Sequence, residues 1–488
     1  MSASVSTPSR KAAASRIALL GLALAAIASA VALYFGSGLH PIWWLTWLAP
    51  LPVLAFAPRA PRWIAFAASL AAWAVGSLNM WHYLHLVQVP IPVVIAATLL
   101  PALIFAAAVD GFRTRVRRGA LLEAALFVPA LWVAYEYLYS VFSPHSTFGN
   151  LAYSQMDFLP VLQVASVTGI WGISDSLMFF AAAVAAIASN RVARRQRIVL
   201  AIATVVTFAA VFGYGAWRLR SAPASPSITV GLVASDLKQN LIPPREAAVT
   251  LYHEYAAQID ELAAQGAKLV LIPEKTGLVD ATSLLAIDQL LQSAADRNRV
   301  MVLTGVLKSP GLYNEARIYT PSTVAPISYD KHHLLPAFES DEIPGVTRTH
   351  LDEPSGRWGV AICKDMDFPL LSRQYGNDEV GLLLVPAWDF DLDGWLHGRM
   401  AILRGVESGF SIARAPKQGI LTLTDDRGRV LAERESSTAP FATLIGDIPV
   451  HHDRTLYARF GDWFAWLDLV LLAALLLNLP RLLRKANG

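Results

Sequence analysis

Long apolar runs broken by short basic loops fill the first 217 residues; beyond them, short β-branched runs alternate with amphipathic helical periods. Seven N-terminal segments, at 17–36, 41–57, 63–82, 91–110, 121–142, 158–189 and 198–217, read as membrane-crossing helices. A span needs roughly 20 residues at about 1.5 Å each, so the second segment is short and the sixth long. An eighth apolar run occupies 463–480. The first run is followed by no small-residue cleavage site with a polar continuation, so it reads as a span rather than a signal peptide.

Between the seventh and eighth runs the period changes. SITVGLVAS, KLVLIP, VMVLTG, NEARIYT, VAPISYD, RWGVAIC and GLLLVP are strand candidates. REAAVTLYHEYAAQIDELAAQG, SLLAIDQLLQSAADRN and HGRMAILRGVESG are helix candidates. This alternation predicts an α/β domain, with antiparallel hairpins between Gly311 and Asp330. SAPASP, from Ser221 to Pro226, reads as the linker that leads into it.

Composition supports the division. Hydrophobic residues make up 55% of the chain and charged residues only 16%, too apolar a balance for a water-soluble chain of this length. The expected organisation is a cytoplasmic tail at 1–16, a seven-span membrane domain at 17–217, an extracytoplasmic domain at 218–460, and a closing helix with its cytoplasmic tail at 461–488.

Orientation comes from the placement of arginine and lysine. Arg10, Lys11 and Arg16 precede the first span, Arg59 and Arg62 follow the second, Arg113, Arg115, Arg117 and Arg118 the fourth, and Arg191, Arg194, Arg195 and Arg197 the sixth. The intervening loops at 36–40, 83–90 and 143–157 carry neither lysine nor arginine. The positive-inside rule therefore puts both termini in the cytoplasm and residues 218–460 across the membrane, with Arg481, Arg484 and Lys485 closing the pattern. Topology accounts for the basic loops, and no nucleic-acid partner is expected. Trp43, Trp44 and Trp47 read as an interfacial aromatic belt, while Glu136, Asp175 and Asp468 are carboxylates in or near apolar spans with no chain of them to suggest an ion path.

The candidate chemistry centres on one cysteine, Cys363, the only one in the chain. A single thiol is core filler, an intermolecular partner or a nucleophile. It closes the strand RWGVAIC, where backbone N–H groups and a nearby cation would lower its pKa. Glu274 follows the buried strand KLVLIP and Lys331 follows VAPISYD; active groups of α/β sheets gather at such strand ends. A carboxylate can take the thiol proton, a lysine can stabilise an oxyanion, and a thiolate can carry an acyl group. His332 and His333 lack further ligands at metal-binding spacing and read as loop residues, so no metal is expected. His397, Arg404 and Glu407 share one helix, and packing and substrate contact stay open for them.

The order of Pro273-Glu274, YDKHHLLP at 329–336 and a strand ending in Cys363 resembles the Glu-Lys-Cys signature of the nitrilase, or carbon-nitrogen hydrolase, superfamily. Together with seven spans before it and one after, the layout resembles the apolipoprotein N-acyltransferase family. LTWLAPLPVLAFAP, ALWVAYEYL and FGNLAYSQMDFLPVLQVASVTGIWGIS resemble the family's membrane segments, with Tyr153, Gln155, Gly169 and Gly172 at matching places. The resemblance implies an αββα sandwich beside an α-helical polytopic membrane domain, in a bacterial inner membrane. It also implies Glu274, Lys331 and Cys363 as catalytic residues, Glu339 at the end of KHHLLPAFE as a further functional acid, and the backbone N–H of Lys364 at the oxyanion.

The implied reaction moves an acyl chain from a phospholipid to Cys363 as a thioester, then to the N-terminal amine of a diacylglyceryl-cysteine lipoprotein, with no cofactor. The chain departs from the family in having Lys364-Asp365 where Tyr-Glu is usual, VPAWDFDLDGW at 385–395 in place of an Asn-Asp-rich segment, and APKQG at 415–419 in place of Asn-Asn-Gly. Two other classes stay open: a membrane-anchored amidase with the same three residues, and a catalytically silent scaffold that binds lipid or lipoprotein.

Overall fold

The fold comes from a computed structural model that describes residues 10–189, 193–221, 225–236 and 242–485. Arg191, the tail up to residue 9 and linker residues 222–224 lie outside the described residues, as do the side chains of Arg10, Lys11, Arg16, Arg481, Arg484 and Lys485.

Among the described residues, five helices are long and apolar enough to cross a membrane: Leu19–Gly36, Arg62–Leu86, Ile91–Arg117, Leu121–Phe142 and Arg194–Arg220. Outward faces such as Leu24, Phe142, Val205 and Leu477 are apolar and exposed on the protein alone, as a lipid-facing surface is. Two of the expected spans are broken. The segment at 41–57 forms the short helices Trp43–Leu48 and Leu51–Phe56, parted at Pro50, which has no N–H to continue the ladder. The segment at 158–189 is cut at Gly169, where φ is +68° and an added Cβ would meet the Tyr457 ring at 2.3 Å, before Trp171–Ile187 begins. The closing helix runs Trp463–Lys485, with its apolar part at Trp463–Asn478.

The aromatic belt is corrected for two of its three members. Trp47 is buried and donates from Nε1 to Gln155 Oε1 at 2.7 Å, and Trp43 stacks on Phe158 at 4.3 Å. Only Trp44 is exposed, because the broken second segment turns its neighbours inward. Glu136 is likewise internal, accepting the Leu151 N–H at 2.8 Å and so tying the outer loop to its helix.

The α/β region contains thirteen strands: β1 (Ser227–Ala234), β2 (Leu269–Leu271), β3 (Leu278–Val279), β4 (Met301–Lys308), β5 (Tyr313–Tyr319), β6 (Ile327–Asp330), β7 (His350–Glu353), β8 (Gly356–Val360), β9 (Leu382–Trp388), β10 (Ser411–Lys417), β11 (Ile420–Thr424), β12 (Val430–Glu435) and β13 (Ala442–Pro449). One sheet runs β13-β1-β2-β4-β5-β6, with β3 beside β4; the other runs β12-β11-β10-β9-β8-β7. The central pairs β1–β2, β2–β4, β8–β9 and β9–β10 are parallel. The expected hairpins are present as the antiparallel pairs β4–β5 and β5–β6.

Apolar residues on the facing sides of both sheets, among them Leu232, Leu271, Leu303, Val360, Leu384 and Ala415, form one shared core. Helix Arg245–Ala264 covers the first sheet with Leu251, Tyr252, Tyr255, Ile259 and Leu262, at the three- and four-residue spacing of one helical face. Helix Ala281–Asn298 joins it, opened by a capping box between Asp280 and Ser283. Helices Pro369–Asn377 and Gly394–Ser408 cover the second sheet. The layering is helix, sheet, sheet, helix.

The two regions meet over polar contacts. Arg404 Nη1 pairs with Glu407 Oε2 at 2.9 Å, both fully buried; Glu407 Oε1 accepts the Ile170 N–H at 2.7 Å, and Arg404 Nη2 donates to Tyr153 Oη at 3.2 Å. Burial of this kind is costly unless every partner is kept. Arg404→Ala, which strands Glu407, should lower stability by about 3–5 kcal/mol. Thermal unfolding of the detergent-solubilised protein checks this; an unchanged melting temperature would refute the bracing role.

Candidate active site

Glu274, Lys331 and Cys363 come from three separate strand ends and converge where the two sheets meet. The Glu274 N–H donates to the Ala387 carbonyl at 3.3 Å, stitching the end of β2 to β9 across the sandwich. Lys331 Nζ lies 2.8 Å from Glu274 Oε1 and 2.9 Å from Glu339 Oε1, with all three side chains buried. The expected acid Glu339 is therefore in the same cluster, held by a Leu335 N–H donated to its Oε2 at 2.6 Å.

Three further residues complete the cluster. Asn314 Nδ2 donates to Glu274 Oε1 at 2.6 Å and to Glu339 Oε1 at 3.2 Å. Lys275 Nζ bridges Glu339 at 2.5 Å and Glu342 at 2.6 Å. Asn314 stands at the start of β5 in the polar run Asn314-Glu315, and Lys275 follows Glu274 directly, but neither pattern by itself marks a site. Glu274 Oε2 is buried and has no hydrogen-bond partner among the described residues, so it is free to receive a proton.

The strand expected to end at Cys363 stops at Val360, and a 3₁₀ turn spans Cys363–Asp367. The cause is Asp365. Its fully buried carboxylate accepts the Ile362 N–H at 2.9 Å, the Tyr329 hydroxyl at 2.7 Å and the His333 N–H at 2.8 Å, pulling the chain into a turn. His333 Nδ1 also lies 3.0 Å from Asp365 Oδ1, and its ring stacks on Phe368 at 3.8 Å; it is part of the turn's support rather than a free loop residue. These bonds hold the Asp365 carboxyl below its ordinary range despite its burial. Cys363 itself adopts φ +44°, a left-handed conformation that costs a non-glycine residue about 1–2 kcal/mol.

Cys363 Sγ donates to the Trp388 carbonyl at 3.4 Å. The expectation of a lowered thiol pKa is corrected: burial, and then the Glu274 carboxylate, push it well above its ordinary value, and Lys331 offsets only part of this. Burial would depress the Lys331 ammonium, but Glu274 and Glu339 outweigh it and hold that pKa well above the ordinary value.

The Lys364 side chain turns away from the cluster. Its Nζ meets Asp367 Oδ2 at 3.1 Å and His145 Nδ1 at 3.3 Å, joining the turn to the outer loop of the helical region. His397 is not brought to the cysteine either; it pairs with Asp393 at 3.0 Å, and Asp393 accepts the Tyr83 hydroxyl at 2.6 Å. Arg404 and Glu407 serve the interface described above. The arrangement brings together a thiol, a carboxylate with one unpartnered oxygen and a cation paired to that carboxylate, the groups that nucleophilic acyl chemistry uses.

Residues 29–183 match the family described as apolipoprotein N-acyltransferase N-terminal domain, and residues 233–449 match carbon-nitrogen hydrolase. An apolipoprotein N-acyltransferase of Geobacter metallireducens is 26% identical over 89% of this chain and 90% of its own. One from Azotobacter vinelandii is 28% identical over 88% of each. Among solved structures, an amidase from Nesterenkonia sp. is 20% identical over 48% of this chain and 94% of its own, with a TM-score of 0.40.

A protonated thiol has a simple signature. Alkylation of Cys363 by iodoacetamide should keep rising with pH through the ordinary thiol pKa of about 8.5. A rate that levels off below pH 7 would reveal a preformed thiolate and overturn this assignment.

Proposed function

We propose, for a chain that belongs to the apolipoprotein N-acyltransferase family, that it N-acylates lipoproteins through an acyl-thioester on Cys363. The observation that carries the chemistry is the buried, unpartnered Glu274 Oε2, with Lys331 salt-bridged to the other Glu274 oxygen and both charges acting on the Cys363 thiol. Cys363 Sγ attacks the carbonyl carbon of a phospholipid ester while its proton passes to Glu274. Lys331 and the Lys364 backbone N–H stabilise the oxyanion. The C–O bond then breaks, Glu274 returns the proton to the departing glycerol oxygen, and the thioester remains.

In the second half the N-terminal amine of a diacylglyceryl-cysteine lipoprotein attacks the thioester. Glu274 takes a proton from nitrogen, the C–S bond breaks, and the amide leaves while Cys363 recovers its proton. Glu339, Asn314 and Lys275 keep Lys331 and Glu274 in place and are positioning residues. Substrates that are both lipid-borne suit a bacterial membrane protein whose α/β region, at 218–460, faces the periplasm with both termini in the cytoplasm.

Incubation with phospholipid should put a hydroxylamine-labile acyl group on Cys363, absent in Cys363→Ala, and a diacylated lipopeptide should then discharge it as an amide. No adduct sinks the transferase. Release of free fatty acid with no lipopeptide product instead identifies the amidase-like hydrolase. A reporter fused after Arg220 should be periplasmic and one after Arg195 cytoplasmic; the reverse pattern overturns the orientation.

A further inference from the structure

Lys417 ends β10 opposite Trp388 at the end of β9, and the two are register partners in parallel strands. Side chains of such partners leave the same face of the sheet. Lys417 Nζ stands 3.9 Å from the centre of the Trp388 indole, which is fixed in turn by an Nε1–H donated to Gln418 Oε1 at 2.8 Å. The same Trp388 supplies the carbonyl that receives the Cys363 thiol. Trp388 thus meets Lys417 through its ring and the proposed nucleophile through its carbonyl.

Lys417 is only 4% exposed, yet among the described residues no carboxylate lies within ion-pair distance of it. Each nearby acid is held through one oxygen and stays outside ion-pair distance of Lys417, while Asp236 Oδ1 and Glu274 Oε2 have no hydrogen-bond partner among the described residues. Asp236 Oδ2 accepts the Ser436 hydroxyl and the Gln418 N–H, and Glu274 Oε1 accepts from Lys331 and Asn314. Burial lowers the Lys417 pKa to about 8, with Asp236 and Glu274 opposing from a distance and Lys275 adding to the depression. A buried ammonium without a close counter-ion is expensive, and a ligand anion would relieve the cost.

Resting on the acyl-transfer reading, we propose that Lys417, seated on Trp388, is the subsite that receives the phosphodiester of the acyl donor while Cys363 attacks its ester. The two substrates differ in charge where it matters. In a phospholipid the phosphate is a few bonds from the scissile ester, whereas the acceptor brings a neutral diglyceride and an amine that Lys417 repels when protonated. A cation at this place therefore favours the donor in the first half-reaction.

The test uses the full chain in detergent and reads acylation of Cys363 from phosphatidylglycerol and from an uncharged nitrophenyl fatty ester. Lys417→Met should lower the ratio of the phospholipid rate to the nitrophenyl ester rate by about 10- to 100-fold, the worth of one charge-assisted hydrogen bond, mainly through a higher KM for phospholipid. Lys417→Arg should restore most of it. Equal losses with both esters, or no loss with phospholipid, would overturn the subsite. If the wild-type protein is labelled by neither ester, the acyl-transfer reading fails and the subsite with it.

Discussion

The site is organised around one buried ammonium, Lys331, held between Glu274 and Glu339 at 2.8 and 2.9 Å. Removing three charges from water costs several kcal/mol for each ion, and the loss is tolerable only if each finds partners of opposite sign. Lys275 provides the second cation that Glu339 needs, and Asn314 donates to Oε1 of both carboxylates, leaving Glu274 Oε2 unpartnered. Glu342, at the edge of the cluster, pairs with Lys275 at 2.6 Å while burial and Glu339 push its pKa up, so both cations are already committed to carboxylates. That balance explains the thiol. Adding a thiolate would leave an uncompensated negative charge beside Glu274, and Cys363 therefore keeps its proton until an electrophile arrives.

Much of this was legible from the chain because strand ends are legible. KLVLIP is a continuous apolar run closed by Glu274 and VAPISYD a short strand closed by Lys331, so both charges are placed at strand ends from the chain alone. The cysteine strand was read three residues too long. No local pattern shows that Asp365 will capture the Ile362 N–H, because that bond exists only once Tyr329 and His333, over thirty residues earlier in the chain, also reach the same carboxylate. Asn314 and Lys417 escaped for a related reason. Each is an ordinary residue at a strand end whose meaning comes from the opposite sheet or the adjacent strand.

Hydrophobic length misjudged the helical region in an instructive way. Runs at 41–57 and 158–189 are apolar enough to span, yet Pro50 and Gly169 break them. The breaks turn Trp47 inward to Gln155 and bring the Gly169 backbone against Tyr457. What the sequence shows as two membrane spans is, in the fold, also the ground on which the α/β region stands.

That footing reaches Cys363, the proposed nucleophile. The Thr147 hydroxyl donates to the Asp367 carbonyl at 2.8 Å, and His145 meets Lys364, so both sides of the turn after Cys363 are strapped to the outer loop of the helical region. The departure from Tyr-Glu to Lys364-Asp365 is coherent in this light: the shorter acid still closes the turn from within, and the longer cation ties it to the helices from outside. Tyr83 reaches up to Asp393, and Gln163 donates to the Arg427 carbonyl, which extends the same bracing along the interface. A left-handed cysteine stores about 1–2 kcal/mol of backbone strain, and a strained turn keeps its geometry only where its surroundings over-determine it. Here the Thr147 and His145 contacts belong to the helical region, so that region helps to set the conformation of the turn that carries Cys363.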